Sequence, residues 1–155
     1  MTLEFHPYNS AWVAHIRQGG GDDYGQPAER AISGGAGTPC RSCLDNVPKG
    51  AGMLICAARP FPEKQPYAET GPIFLCADAC APWEGKGVPP ALQSSPDYLL
   101  KGYSEDHRIV YGTGQITLAA DIEQVAAEIF SRGGVAFVDV RSARNNCFQC
   151  RITAA

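Results

Sequence analysis

The sequence predicts an α+β domain: a largely antiparallel sheet of about six short strands with one main helix, at about 118–131. Three observations predict it. Short apolar runs recur between turn-forming residues, which is the pattern of strands in a meander. One stretch alone carries a sustained helical stripe. Seventeen glycines and twelve prolines in 155 residues favour many turns over long helices.

Taken in order, residues 1–17 hold a short apolar pattern (Phe5, Trp12, Val13, Ile16) that docks as a strand or a short helix. Gln18 to Thr38 is rich in glycine, with a brief Pro27–Ile32 insert, and is expected to form a long surface loop with one helical turn. Its glycines follow no strand and end in no Lys-Ser/Thr, so no phosphate loop is implied. Met53 to Ala58 is a buried strand, halted by Arg59-Pro60. Ile73 to Ala77 is a second. Pro82 to Pro96 is a loop, because proline donates no ladder hydrogen bond.

Tyr98–Tyr103 and Arg108–Ile116 are expected to form a hairpin across Ser104–His107. In the helix, Leu118, Ile122, Val125, Ala126, Ile129 and Phe130 form one continuous stripe. Asp121 with Gln124 suggests a cap, and Gly133-Gly134 the stop. Val135–Arg141 and Cys147–Thr153 complete the strands. The division is a single domain, with an arm and Gly-rich loop at 1–38 and a core at 39–155.

Composition narrows the function. With 45% apolar and 19% charged residues the chain is globular. A net charge of −3 speaks against nucleic acid, and no apolar run approaches a membrane span. The first residues lack the pattern of a secretory signal, so a cytoplasmic location is expected. The oligomeric state is left open.

Several motifs together carry a resemblance: PCRSCL from Pro39, RPF at Arg59, PYAETGPIF from Pro66 with Cys80 nearby, RIVYG, VRSAR and NCF. In combination they resemble the bacterial domain-of-unknown-function 1203 family, from roughly Cys40 to Ile152. The resemblance implies a small cytosolic domain and lends no activity. The family pattern has a histidine where Cys76 stands and another near Asp139, so this chain departs from it at both positions.

Seven cysteines in a reducing compartment point to metal, redox chemistry or packing. Cys40-x-x-Cys43 has the spacing of half a zinc site, and Cys147-x-x-Cys150 is a second pair. In a strand, a spacing of three sends Cys147 and Cys150 to opposite faces. The expected ligand set for a structural zinc is therefore Cys40, Cys43, Cys80 and Cys147, with Cys150 packed inside. Cys56 and Cys76 lie in apolar strands, and are expected as small buried hydrophobes. A thiol redox enzyme is the alternative use of Cys40 and Cys43, and requires one of them at a helix start.

Among charged residues, Arg59, Glu69 and Arg141 stand beside buried strands. Buried charge is normally paired, so an ion pair of Glu69 with Arg141 or Arg59 is the first expectation. The second is a ligand pocket of Arg59, Tyr67, Glu69 and Arg141, with Tyr111 beside them, for a small anionic or polar molecule. No nucleophile, base and stabiliser assemble in one place, so a non-catalytic domain that binds a ligand or another protein leads.

Overall fold

Two antiparallel sheets carry the chain, where the sequence predicts one. The computed structural model describes residues 1–155. A five-stranded sheet has the order β1-β8-β7-β5-β6, and a three-stranded sheet the order β2-β3-β4. In chain order the strands are β1 (Leu3–His6), β2 (Glu29–Ile32), β3 (Gly52–Ala58), β4 (Gly71–Cys76), β5 (Asp97–Tyr103), β6 (Gln115–Leu118), β7 (Phe137–Ser142) and β8 (Phe148–Ala154). Helix α1 is Ser10–Arg17, and α2 is Ile122–Ser131. The class is α+β, as the turn-rich sequence and its single strong helical stripe predict.

The N-terminal arm supplies both a strand and a helix. β1 pairs along β8 from Leu3↔Ala154 to His6↔Arg151, so the two chain ends lie side by side. Asn9 Oδ1 accepts from the Trp12 amide at 2.9 Å and starts α1. Val13 and Ile16 then face the smaller sheet. β2 lies inside the segment expected to be a glycine-rich loop. Its sequence, Glu-Arg-Ala-Ile, has no buried face, and only pairing with β3 makes it a strand.

Two boundaries also differ. Arg108–Ile116 is not one strand: residues 104–114 turn, Gly112 at φ 91 breaks the run, and β6 begins at Gln115. Leu118 closes β6 opposite Asp97, 60% exposed, because the ladder claims it before the helix can. A short 3-10 turn follows, and the Asp121 side chain caps nothing.

The main core packs Ile122, Val125, Ala126 and Ile129 of α2 onto Leu100, Val138, Val140, Cys150 and Ile152 of the larger sheet. Gly102 permits this approach, since a Cβ there would lie 3.0 Å from Ile129 Cγ2. A second core joins α1 to β3 and β4. The face of the larger sheet turned away from α2 is polar. It carries Lys101 and Tyr103 of β5, Phe137, Asp139 and Arg141 of β7, and Arg151 of β8, in register from Lys101↔Asp139 to Asp139↔Arg151.

Two expectations follow. Truncating Leu100, fully buried under α2, to alanine should cost about 2–5 kcal/mol in denaturant unfolding. Burial pushes the Cys56 thiol up to about 12, with Asp22 adding to it, and does the same to Cys150, where Asp139 adds. Both folded values lie above the ordinary 9.0, so their contribution is whole below that pH and lost as pH rises toward 12. Urea midpoints should therefore fall from about pH 9 upward, and fall less in Cys150→Ala. Equal slopes in the two proteins would remove Cys150 as a cause.

Candidate metal centre

Four cysteines converge from two segments. Cys40 and Cys43 lie in the turn after Thr38, Cys76 ends β4, and Cys80 follows in the next loop. Their Sγ atoms all lie within 4.8 Å of one another.

The local chain explains the convergence. Pro39 bridges Asn46, and Cys40 bridges Phe74 of β4 in parallel. The Leu44 amide donates to the Cys40 carbonyl at 2.9 Å, closing a tight turn over Cys40–Cys43. Leu44 takes φ 55 to allow it, an uncommon conformation for a branched side chain, while its side chain packs into the main core. Cys40 is wholly buried; Cys43 and Cys80 are partly exposed.

Hydrogen-bond donors surround the sulfurs. Cys40 Sγ accepts from the amides of Ser42 at 3.4 Å and Cys76 at 3.3 Å. Arg17, at the end of α1, donates Nη2 to Cys80 Sγ and Nε to the Cys76 carbonyl, both at 3.1 Å. A hydrogen bond from Cys43, with those two amides, brings the Cys40 thiol down to about 4 against the opposing effect of burial. The Cys40 sulfur in turn holds the Cys43 proton in place and pushes that thiol up. Burial, then the charges of Cys40 and Cys80, raise Cys76 to about 12. Four thiols this close ionise against one another, and a bound divalent cation reverses that.

The donor set fits zinc. Tetrahedral thiolates at a Zn–S length of about 2.3 Å stand about 3.8 Å apart. Cys40 Sγ and Cys80 Sγ are 3.8 Å apart. None of the seven cysteines is in a disulfide.

Three of the four cysteines expected as zinc ligands, Cys40, Cys43 and Cys80, lie in this cluster, and its fourth member is Cys76 and not Cys147. Cys147 sits in the turn before β8, its Sγ 3.8 Å from the Asn145 carbonyl, outside the cluster. Cys76 sits in an apolar strand, and its composition hides it. The signal that finds it is the Cys76-x3-Cys80 spacing, itself a ligand-pair spacing. Cys150 is packed inside, as predicted, donating to the His6 carbonyl at 3.5 Å. No helix begins at Cys40 or Cys43, so the lowering of the Cys40 thiol comes from Cys43 and the backbone amides and not from a helix dipole.

The charged candidates separate. Arg141 Nη1 lies 3.2 Å from Glu69 Oε2, and Lys101 Nζ 3.4 Å from Oε1, so the expected ion pair forms with Arg141. Arg59 does not join them: its guanidinium donates to the carbonyls of Phe61 and Pro62 and lines a separate cleft of about 520 Å³ with Tyr8, Trp12 and Phe148. Tyr67 packs edge-on against Tyr111, with Arg108 over its ring.

The fold and the cluster define a class: a small two-sheet α+β domain with a preformed four-thiol cluster. Residues 37–154 match the family described as "Protein of unknown function (DUF1203)", and the chain belongs to that family. Searches of the curated proteins and of the solved structures find no match. No helix is long and apolar enough to cross a membrane.

Arg41, inside the turn, is buried and donates Nε to the Phe148 carbonyl at 2.8 Å and Nη1 to the Pro39 carbonyl. Arg41→Met should leave both carbonyls unpaired and cost about 2–4 kcal/mol in urea unfolding. A change under about 0.5 kcal/mol would mean that water replaces the guanidinium without loss.

Proposed function

We propose that Cys40, Cys43, Cys76 and Cys80 hold a structural zinc ion, and that the domain is a non-catalytic scaffold for a small ligand or a protein partner. The observation that carries the reading is the cluster itself: four sulfurs within 4.8 Å, from two pairs at ligand spacing, with N–H donors on the sulfurs. Four thiolates fill a tetrahedral site and leave no position for substrate, which is the pattern of structural rather than catalytic zinc. The amide and guanidinium donors spread the excess negative charge of such a site.

The ion would join the 38–47 turn to the end of β4 and, through Arg17, to α1. Its binding free energy then becomes folding free energy. The cleft beside Tyr8 and Trp12 is a surface that such a scaffold holds open.

Native mass spectrometry of the freshly purified chain should show one zinc, lost on denaturation. Cobalt(II) added to the metal-free chain should give the absorption of a tetrahedral thiolate site. Cys76→Ser should lose stoichiometric binding, and Cys147→Ser should keep it. A chelator should lower the melting temperature of the parent chain, by more than about 5 °C for a loss of a few kcal/mol. A bare reduced mass together with no uptake of zinc or cobalt would overturn the assignment. Retention by Cys76→Ser with loss in Cys147→Ser would restore the set read from sequence.

A further inference from the structure

The larger sheet has one edge that nothing blunts. An open edge presents unpaired N–H and C=O groups, and folded proteins guard such edges with charge, proline or a covering segment. Three of the four edges here are guarded. β1 carries Glu4 and His6, and β2 carries Glu29 and Arg30. β4 carries Pro72, and Cys40 bridges Phe74 along it. β6 lies at the far end of the larger sheet from β1. It reads Gln-Ile-Thr-Leu, with no charge, no proline and no strand beyond it.

The register shows where the backbone of β6 points. It pairs with β5 from Asp97↔Leu118 to Leu100↔Gln115, and the Ala119 amide donates to the Pro96 carbonyl at 3.0 Å. Hydrogen-bonded pairs alternate along an antiparallel ladder, so Gln115 and Thr117 bond to β5. The N–H and C=O groups of Ile116 and Leu118 therefore point to the open side.

The side chains agree. Ile116 is 57% exposed and Leu118 60%. Both stand on the face turned away from α2, where Ile116 faces Leu99 across the ladder, so this face turns apolar at its β6 end. The charges that border the strip are paired within the chain, Asp97 with Arg144 at 2.9 Å and Arg141 with Glu69 at 3.2 Å.

We propose that β6 pairs antiparallel with β6 of a second copy, about a twofold axis at Thr117, joining the two five-stranded sheets into one. In that register Ile116 of each copy lies opposite Leu118 of the other, and each such pair exchanges two N–H···O=C bonds. The Leu118 carbonyl also opens the following 3-10 turn, and its second lone pair serves the partner. Leu118 of one copy then extends the apolar row of Leu99 and Ile116 in the other, on both sides of the axis. A second copy fits better than a charged peptide, because the strand has no charge to attract one and is complementary to itself. Pairing also closes the assembly: both outer edges of the joined sheet are then β1, guarded by Glu4 and His6. The edge is on the sheet away from the cysteine cluster, and the pairing does not depend on the metal reading.

Sedimentation velocity of the full chain, from about 2 to about 500 μM, should show the mass rise from one chain to two, with half-dissociation at about 1–100 μM, as suits a small interface. Ile116→Lys should weaken association at least about tenfold and leave the melting temperature of the dilute chain within about 2 °C of the parent's, since the side chain is exposed. Ile32→Lys, at a 71% exposed apolar position on β2, should associate like the parent. Amide exchange at Ile116 and Leu118 should slow as concentration rises, while that at Leu3 on β1 stays the same. A single chain at every concentration would overturn the proposal, and so would a dimer that Ile116→Lys leaves intact. Assemblies that grow beyond two chains would overturn the closed twofold pairing.

Discussion

The two sheets are joined through Arg41. Its amide donates to the Phe74 carbonyl of β4 at 3.1 Å, its carbonyl accepts from the Tyr8 amide at 2.8 Å, and its guanidinium reaches the Phe148 carbonyl of β8. One residue thereby ties the smaller sheet, the arm between β1 and α1, and the larger sheet. Burial lowers its pKa to about 10, while the surrounding cysteines act to raise it; the guanidinium stays charged at neutral pH and its bonds to carbonyls stay strong. Arg41 lies between Cys40 and Cys43, so whatever fixes those two sulfurs fixes the junction.

This arrangement explains why the cysteine cluster belongs in a domain of this size. The smaller sheet has three strands and one short helix to cover it, which is a thin core for independent stability. A metal ion held by the four thiols would add a local cross-link where apolar area is scarce. The larger sheet and its longer helix share a core of fourteen buried residues and have less need of one.

The larger sheet uses its two faces for different purposes. The face under α2 is apolar and supplies stability by burial. The opposite face holds a charged ladder beneath the loop from Arg59 to Gly71. Buried ion pairs contribute little net stability, because desolvation offsets their attraction. Their value here lies in position: Arg151, held by Asp139, donates to the Pro60 carbonyl, and Glu69 sits between Lys101 and Arg141, and together they fix the loop's place on the sheet. Arg151 also lies 3.8 Å from the centre of the Phe137 ring, so it is packed as well as paired.

Much of this was legible in the chain. The amphipathic stripe at Ile122–Ile129, the apolar runs of β3, β4, β5 and β7, and the alternation in β8 that buries Cys150 follow from side-chain periodicity, a local property. The Cys40–Cys43 spacing and the family resemblance marked the turn, and Arg141 with Glu69 was recognisable from the cost of burying charge. What remained hidden depends on partners distant in sequence. β2 has no apolar face and exists through its ladder with β3. Leu118 fits a helical stripe, yet β5 claims it for a strand. Cys76 looks like core until the parallel bridge of Cys40 to Phe74 carries the turn to the end of β4. Cys147 has the right residue type at a plausible spacing and lies outside the cluster. The sequence by itself determined α2, the apolar strands and which residues are chemically notable, because those follow from pattern and composition. Tertiary structure alone decided the split into two sheets, the pairing of β2 and the fourth thiol of the cluster, because each is set by contacts between segments far apart in the chain.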